Sequence, residues 1–472
     1  MKKEKIGIIG AGSAALFAAH EIGKTSSDRF EITLFDAGPD IENRICPHQE
    51  GGIECRQCDP CRIMSGIGGA GCYSSGILNL NKKIGGNIDE WCNRIGLDAE
   101  EIISEIDAFF VKNGAPTKLF DPHRNEEKLK DLKKKCAAAD INFIPIKQRL
   151  LGSKNTPNVL INIREFLKKH YNVRFRANTM VMSFDKEKNV VLESGEKEEF
   201  DCLLVAPGRW GMVWLAEECE RLGINTCYKP LDIGVRVEVP SIIMEDICEE
   251  IQRDPKFHII TPTYKDFIRT FCVNYKGYVV RENYDKNIVG VNGHQISVNG
   301  DSDNCNFAFL IRQQLTSPLE DTTEYGRSIS KQTSILGGYK PLVQTLGDLR
   351  NGHRSRPSLI ERNPVDPTLK EATPGDIAMA YPYRFVCDIL EGLEVLDEVI
   401  PGVNNDSTLV YAPEFKRSAK RVETNSYFES KQVENIFFAG DGAGLSRGII
   451  GAAVTGIIAA KGIIEKINLK KI

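Results

Sequence analysis

The feature that most constrains the fold is a glycine-rich turn near the start of the 472-residue chain. An apolar stretch, Ile6-Gly-Ile-Ile9, runs directly into Gly10-Ala-Gly-Ser-Ala-Ala15, and good helix-forming sequence follows. This is the Gly-x-Gly-x-x-Ala form of the dinucleotide-binding turn, in which the first glycine permits the tight turn and the second lets a pyrophosphate approach the backbone. The sequence therefore predicts a strand–turn–helix whose helix N-terminus binds phosphate groups. The predicted contacts are Gly10, Gly12, Ser13 and Ala14.

A second apolar strand supports the dinucleotide interpretation. Phe30-Glu-Ile-Thr-Leu-Phe35 is followed by Asp36, an acid at the distance expected for a residue that binds a ribose hydroxyl. Three lysines among the first five residues, followed by an apolar run, also resemble a secretion signal. Because Glu4 lies among the lysines and glycines interrupt the apolar run, we expect no export signal.

Composition limits the class of protein. The chain is 41% apolar and 27% charged, with a formal net charge of −4, which is typical of soluble globular proteins and gives no global attraction to nucleic acid or anionic membrane. The weakly polar run 448–460 is too short and too glycine-rich to predict a membrane span. Fourteen cysteines without an export signal predict a reducing, cytoplasmic location, where thiols act as ligands or redox groups.

The part of the chain richest in candidate metal-binding or redox side chains is the cysteine segment, formed by Cys46-Pro47 and Cys55-x-x-Cys58-x-x-Cys61. Three ligands from a closely spaced triple and a fourth from a remote Cys-Pro are typical of an iron–sulfur cluster. Four thiolates would also hold zinc, although structural zinc sites usually use two separated pairs. A redox dithiol of Cys58 and Cys61, or no common role, are the remaining alternatives. Our hypothesis is one metal centre, [4Fe–4S] or zinc, on all four cysteines.

A second glycine-rich stretch, Gly66-Ile-Gly-Gly-Ala-Gly71, has the wrong setting for another nucleotide site, because no strand precedes it and no helix opening follows. We predict a loop whose backbone packs against the cofactor through Gly68, Gly69 and Ala70. An apolar strand near 200–206 closes on Pro207-Gly-Arg209, where Gly208 is a further predicted contact.

A second anchor lies near the C-terminus. Asn435-Ile-Phe-Phe-Ala-Gly-Asp441 is an apolar strand ending in Gly-Asp, and a helix of small residues begins after Gly448. FAD binds in an extended form and needs a second element for its flavin half, so the two anchors together favour FAD over NAD. Asp441 is placed to accept hydrogen bonds from the ribitol or to lie near the pyrophosphate. The alternative interpretation of the following helix is a core helix that only packs. The predicted contacts are Gly440, Asp441, Gly448 and Ile449.

These patterns predict an α/β chain with a discontinuous, Rossmann-like FAD/NAD(P)-binding domain and an inserted α+β substrate domain. The predicted parts are residues 1–80, 150–235 and 420–472 for the FAD-binding domain, 81–149 for a mainly helical insertion and 236–419 for the substrate or cap domain. Inside the last region we expect strands at 267–273 and 288–291, and helices at 307–314 and 339–346.

At this point the chain resembles the glutathione-reductase-like FAD flavoproteins. More narrowly, and over its whole length, it is similar to a poorly characterised group of NAD(P)/FAD-dependent oxidoreductases. Besides the two anchors and the cysteine segment, the resemblance rests on Gly66–Gly71, Ala206–Arg209, Asp232–Glu238, Thr270–Cys272, Gly337–Asp348 and Glu414-x-x-Arg417-Ser418. It implies FAD, a discontinuous FAD domain and oxidoreductase chemistry. Ser74–Leu78 and Val273–Gly277 depart from the group's pattern, so no substrate role is carried over to them.

The function expected from the sequence is a cytoplasmic FAD-dependent oxidoreductase that passes hydride or electrons through flavin to or from a small-molecule substrate. NAD(P)H or an electron-donor protein is the candidate donor, and a metal centre would split electron pairs into single steps. A dithiol–disulfide reductase and a non-catalytic flavin redox sensor are the alternatives, whereas no basic stripe supports an RNA-modifying flavoprotein. The candidate catalytic residues are Glu414, Arg417 and Ser418, where the chain returns from the substrate domain toward the cofactor.

Overall fold

The computed structural model describes residues 3–26, 28–46, 58–285, 287–295, 300–318 and 320–469. The chain is a mixed α/β protein that divides into two compact units. Unit 1 comprises residues 1–119, 149–229 and 419–472, and unit 2 comprises residues 120–148 and 230–418.

The helices, in chain order, are α1 (Ser13–Ser26), α2 (Ile88–Arg94), α3 (Ala99–Lys112), α4 (Glu126–Ala138), α5 (Thr156–Tyr171), α6 (Met212–Leu222), α7 (Ser241–Glu250), α8 (Thr322–Leu336), α9 (Leu346–Arg350), α10 (Pro357–Ile360), α11 (Tyr383–Asp397) and α12 (Gly448–Leu469). The strands are β1 (Glu4–Ile9), β2 (Phe30–Phe35), β3 (Ile77–Leu80), β4 (Asn142–Ile144), β5 (Lys147–Leu150), β6 (Arg174–Arg176), β7 (Val181–Phe184), β8 (Asn189–Leu192), β9 (Lys197–Glu199), β10 (Cys202–Val205), β11 (Thr226–Cys227), β12 (Leu231–Pro240), β13 (Lys256–Ile260), β14 (Phe267–Tyr275), β15 (Tyr278–Asp285), β16 (Ile288–His294), β17 (Asn304–Gln313), β18 (Leu342–Thr345), β19 (Thr373–Pro374), β20 (Leu409–Lys416), β21 (Arg421–Val422) and β22 (Ile436–Phe438).

Unit 1 is built on a parallel five-stranded sheet in the order β22-β10-β1-β2-β6. Its central strand β1 pairs with β10 on one side and with β2 on the other, so that Ile8 lies between Leu204 and Leu34. All three side chains are buried. The strands of this sheet are nearly continuous apolar runs, which is typical of a parallel sheet covered by helices. The helix α1 connects β1 to the parallel strand β2.

The C-terminal helix α12 packs directly on α1 through small residues. A Cβ atom added at Gly456 would lie 2.0 Å from the carbonyl oxygen of Ala14, so this crossing requires glycine. By length and composition α12 is the one helix in the described ranges that is apolar enough to cross a membrane. However, 67% of its most apolar window is buried inside the protein, and its packing against α1 is that of a core helix.

Unit 2 is built on an eight-stranded sheet in the order β19-β18-β20-β12-β17-β14-β13-β4, antiparallel except for the pair β18–β19. At its centre β12 pairs with β17 on one side and with β20 on the other. Its alternate residues Ile233, Val235 and Val237 belong to the apolar core of the unit, which also includes Ile389 and Leu393 of α11.

Two helices predicted in this region are wrong. Residues 307–314 mostly lie in strand β17, and the segment 339–346 contains strand β18 instead of a helix. The first eight residues of β17 are all buried, so its apolar run lacks the alternation that marks a half-exposed strand. A short, continuous apolar run without alternation does not distinguish a buried strand from a buried helix, and the pairing with β12 decides between them.

Candidate functional site

The turn between β1 and α1 closes against the end of two neighbouring strands. The amide of Gly10 donates to the carbonyl of Phe35 at 2.7 Å, and its φ is +98°. A Cβ at Gly10 would lie 2.1 Å from the carbonyl oxygen of Ala206, so both the backbone conformation and the available space require glycine. The predicted role of Gly10 in the tight turn therefore has a direct steric basis.

The glycine loop, residues 62–71, lies against this turn. The amide of Gly68 donates to the carbonyl of Ala11 at 2.9 Å, and a Cβ at Gly69 would lie 2.9 Å from the Cα of Gly12. Ala70 begins a short 3-10 turn, Ala70–Tyr73. The predicted contact residues Gly12, Gly68 and Gly69 are thus brought together by the backbone.

Asp36 lies at the end of β2 and is 9% exposed. Its Oδ2 accepts from the amide of Ala11 at 2.9 Å, and its Oδ1 accepts from the amides of Gly38 and Gly66 at 3.0 and 2.7 Å and from the Ser65 hydroxyl at 3.3 Å. Burial raises the pKa of Asp36, and the backbone donors oppose that shift. Oδ2 has one acceptor position left for the predicted ribose contact, which stays a prediction.

Arg44 is a residue of this site that the sequence analysis did not identify. It follows the short 3-10 turn Ile41–Asn43 and is 1% exposed. Its guanidinium donates to backbone carbonyls of the glycine loop and packs over the ring of Tyr73, 5.0 Å from the ring centroid. No motif marks this residue, because its described hydrogen-bond acceptors are main-chain atoms.

The second anchor is a turn at the start of α12. Asp441 Oδ1 accepts from the hydroxyl of Ser446 at 2.8 Å, and its Oδ2 accepts from the amide of Gly448 at 3.2 Å. The amide of Gly440 donates to the hydroxyl of Thr455 at 2.9 Å, which fixes the end of β22 to the helix. Burial raises the pKa of Asp441, and the guanidinium of Arg209, 3.8 Å away, opposes the shift.

The two anchors meet at the glycine loop. A Cβ at Gly71 would lie 3.2 Å from Cγ1 of Ile449, in the first turn of α12, and 3.9 Å from Oγ of Ser13, in the first turn of α1. The N-terminal ends of two long helices therefore reach the same segment of backbone. Two glycines of the second anchor region are open: Gly448 precedes Ile449, and the carbonyl oxygen of Gly208 would lie 2.2 Å from a Cβ at Gly442. Gly208 and Gly448 have φ of +64° and +80°, and Cβ atoms added to them would meet no described heavy atom within 4 Å.

The predicted metal ligands are only partly described. Cys46 and Cys61 are half-buried, Cys58 is exposed, and Cys55 lies outside the described residues. Within the described ranges no group of three or more His, Cys, Asp or Glu side chains could hold a metal ion. The metal centre therefore stays a prediction.

The candidate catalytic residues belong to unit 2. Glu414 is fully buried and pairs with the buried guanidinium of Arg236, at 2.7 Å from Oε2 to Nε and 3.0 Å from Oε1 to Nη2, and with Lys416 at 2.9 Å. Arg417 donates to the carbonyl of Tyr284. Glu414 therefore lies in a buried ion-pair network within β12 and β20, and the catalytic role of all three residues is a prediction.

Ser418 completes this set. Its hydroxyl donates to the carbonyl of Pro230 at 2.8 Å, which ties the end of β20 to the start of β12. The structure therefore places Glu414, Arg417 and Ser418 on one chain segment. Glu414 pairs with buried charges, whereas Arg417 and Ser418 each donate to a backbone carbonyl.

Comparisons with known proteins return no family. No protein-family model matches the chain. An uncharacterised protein of Clostridium beijerinckii is 25% identical over 491 residues, covering 98% of this chain and 81% of that protein.

Among solved structures, an L-proline dehydrogenase from P. horikoshii is 12% identical with a TM-score of 0.40, covering 98% of this chain and 94% of that one. A glycine oxidase from Geobacillus kaustophilus is 10% identical with a TM-score of 0.36, covering 98% and 95%. A tetrameric form of 2-methyl-3-hydroxypyridine-5-carboxylic acid oxygenase is 10% identical with a TM-score of 0.37, covering 99% and 83%. At these TM-scores the likenesses carry no argument about this chain.

Proposed function

We propose that unit 1 is a Rossmann-like FAD-binding domain and that the chain is an FAD-dependent oxidoreductase. The observation that carries the proposal is the meeting of two helix N-termini at Gly71, through Ser13 of α1 and Ile449 of α12. A helix N-terminus offers unpaired N–H groups and a partial positive charge, and two of them at one segment suit a ligand with charge at separated points.

The residues present fit such a ligand. Gly10 holds the tight turn, the backbone at Gly12 is free of a side chain, and Asp441 orders the turn that leads into α12. The open positions at Gly208 and Gly448 leave room for a flat cofactor beside the backbone. Bound FAD would accept a hydride or two electrons at its isoalloxazine ring. The small-molecule substrate and NAD(P)H as donor are part of the same proposal.

The test measures the affinity of flavin-free protein for added FAD, with fluorescence quenching as the readout of binding. Gly448→Ala should weaken FAD binding by about ten-fold or more, because the added methyl group occupies space next to the α12 N-terminus. Gly223→Ala is the matched control, since Gly223 also has positive φ (+70°) and an open Cβ position among the described atoms, but caps the C-terminus of α6.

Both substitutions place a Cβ at a position of positive φ, which carries a backbone penalty of about 1–2 kcal/mol. Equal FAD affinity in the two variants would therefore show that Gly448 is not beside the cofactor. Wild-type protein that neither contains nor takes up FAD would refute the proposed function itself.

A further inference from the structure

The guanidinium of Arg44 is buried under the glycine loop. Among the residues that the structure describes, its hydrogen-bond acceptors are backbone carbonyls, and no carboxylate of those residues forms an ion pair with it. The acceptors are Arg62 at 3.0 Å, Ile63 at 2.6 Å, Gly66 at 3.4 Å, Ile67 at 2.8 Å and Gly69 at 2.9 Å.

Burying this charge without a carboxylate partner is unfavourable. Burial lowers the pKa of Arg44, and the nearby Cys72 and Asp36 act in the opposite direction. The five carbonyl dipoles add to the stabilisation of the guanidinium, whose planar fork offers five N–H donors. The arrangement keeps a positive charge immediately beneath the glycine loop.

The glycine loop needs an external constraint. Gly66, Gly68 and Gly69 have φ of +118°, +89° and +63°, and consecutive glycines lose much backbone entropy when they are fixed in such conformations. Arg44 holds the carbonyls of the loop, whereas Asp36 accepts from the amide of Gly66. The positive guanidinium of Arg44 thus holds carbonyl groups of the loop, and the negative carboxylate of Asp36 holds an amide group.

We propose that Arg44 is a positioning residue of the cofactor site: it holds the glycine loop against the N-terminus of α1 and adds positive charge that favours a diphosphate there. The inference rests on the proposed FAD-binding function. In this arrangement the loop is formed before the cofactor binds, so FAD binding does not have to order it.

Hydrogen exchange reads the state of the loop without any cofactor. All four amides from Gly66 to Gly69 donate hydrogen bonds, to Asp36, Pro39, Ala11 and Gly66 respectively, so their exchange reports opening of the loop. In flavin-free Arg44→Met, exchange of peptides covering 66–69 should accelerate by about ten-fold or more while β1 stays as protected as in the wild type. FAD affinity should fall by about ten-fold or more.

Arg44→Lys keeps the charge but offers at most three donors for five carbonyls, so both effects should be smaller than in Arg44→Met. Arg149→Met is the matched control, because Arg149 is a buried arginine of the same unit that pairs with Asp107 and the carbonyl of Pro116. It should leave the exchange of 66–69 and the FAD affinity within about two-fold of the wild type.

Unchanged exchange of 66–69 in Arg44→Met would overturn the proposal, as would faster exchange with unchanged FAD affinity. If Arg44→Met does not fold, the lysine variant decides on the same two measurements. Wild-type protein that binds no FAD defeats the proposed function, and the exchange result then still tells whether Arg44 orders the loop.

Discussion

The carboxylate of Asp36 accepts a hydrogen bond from the amide of Gly66 at 2.7 Å, although the two residues are 30 positions apart in the chain. The bond joins the end of β2 to the glycine loop, and the same carboxylate binds the amide of Ala11 in the first turn. One side chain therefore connects the two backbone segments at which the phosphate groups of the cofactor are proposed to bind.

Asp36→Asn should destabilise the folded protein by about 3 kcal/mol, because an amide has one acceptor oxygen and its NH₂ group would face a backbone N–H. The measurement is the free energy of unfolding in urea. Asp201→Asn is the control: Asp201 accepts from one amide, that of Lys5 at 2.8 Å, and should cost about 1 kcal/mol.

A different outcome would assign Asp36 a role in cofactor binding instead of in stability. If Asp36→Asn unfolded like the control but bound FAD weakly, its main role would be the ribose contact predicted from the sequence. Equal stability and equal FAD affinity would contradict both roles.

Part of this architecture can be read from the sequence because it depends on local patterns. The strand predicted at 30–35 and the helix predicted after the first glycine-rich turn correspond to β2 and α1. Strand β17 was predicted as a helix because burial on both faces removes alternation. Local patterns therefore fail where a segment is buried on every side.

Arg44 illustrates a second limit. Its described acceptors are carbonyl groups, which every residue carries, so the sequence shows no acidic side chain that would mark Arg44. The position of Asp36 after β2 is a recognisable signal, but its bond to Gly66 depends on the path by which the chain returns. Contacts to main-chain atoms far along the chain follow from the fold and not from a motif.

In unit 2, Glu414→Gln should be strongly destabilising. Burial would raise the pKa of Glu414, but Arg236 and Lys416 hold it below its ordinary value, so the group is a buried carboxylate. Removing its charge leaves Arg236 buried without an ionic partner, which costs about 3–5 kcal/mol. The measurement is urea unfolding of the full chain.

Two further variants test whether the loss of stability comes from the unpaired charge of Arg236. Glu282→Gln should cost about 1 kcal/mol or less, since Glu282 is a half-buried partner of Lys416 at 3.5 Å. Replacing both Arg236 and Glu414 by Met should recover much of the loss, because no buried charge then remains unpaired. Glu414→Gln with wild-type unfolding but no turnover would instead support the catalytic role predicted from the sequence.

Acid should destabilise unit 1 through His20. Its ring stacks on Phe109 with centroids 3.9 Å apart, and burial, with a contribution from Lys24, lowers the pKa of His20 to about 4. The neutral ring is favoured in the folded state, so the stabilisation is complete above the unfolded pKa of about 6.5 and is lost as pH falls toward 4. Over that window the loss should reach roughly 2–3 kcal/mol.

His20→Phe keeps a ring on Phe109 but cannot take up a proton. Unfolding measured near neutral pH and again in mild acid should show a smaller acid-induced loss in this variant than in the wild type. Identical losses in the two proteins would mean that protonation of His20 does not cause the loss of stability in acid.

The last prediction concerns the cysteine segment, whose two ends are held together by one side chain. Arg44 lies two residues before Cys46 and binds the carbonyls of Arg62 and Ile63, directly after Cys61. The described thiols Cys46, Cys58 and Cys61 are half-buried or exposed and not in the core. We expect them to bind one metal centre together with Cys55, most readily [4Fe–4S].

Anaerobically purified protein should then contain about four iron and four sulfide per chain, and Cys55→Ser should lose them. Cys227→Ser is the control, since Cys227 is an exposed free cysteine of the same unit and should leave the metal content unchanged. About one zinc per chain without iron would assign a structural zinc site instead. Neither metal, together with a disulfide that can be titrated between Cys58 and Cys61, would assign the segment to a dithiol–disulfide reductase, because that chemistry uses only two of the four thiols.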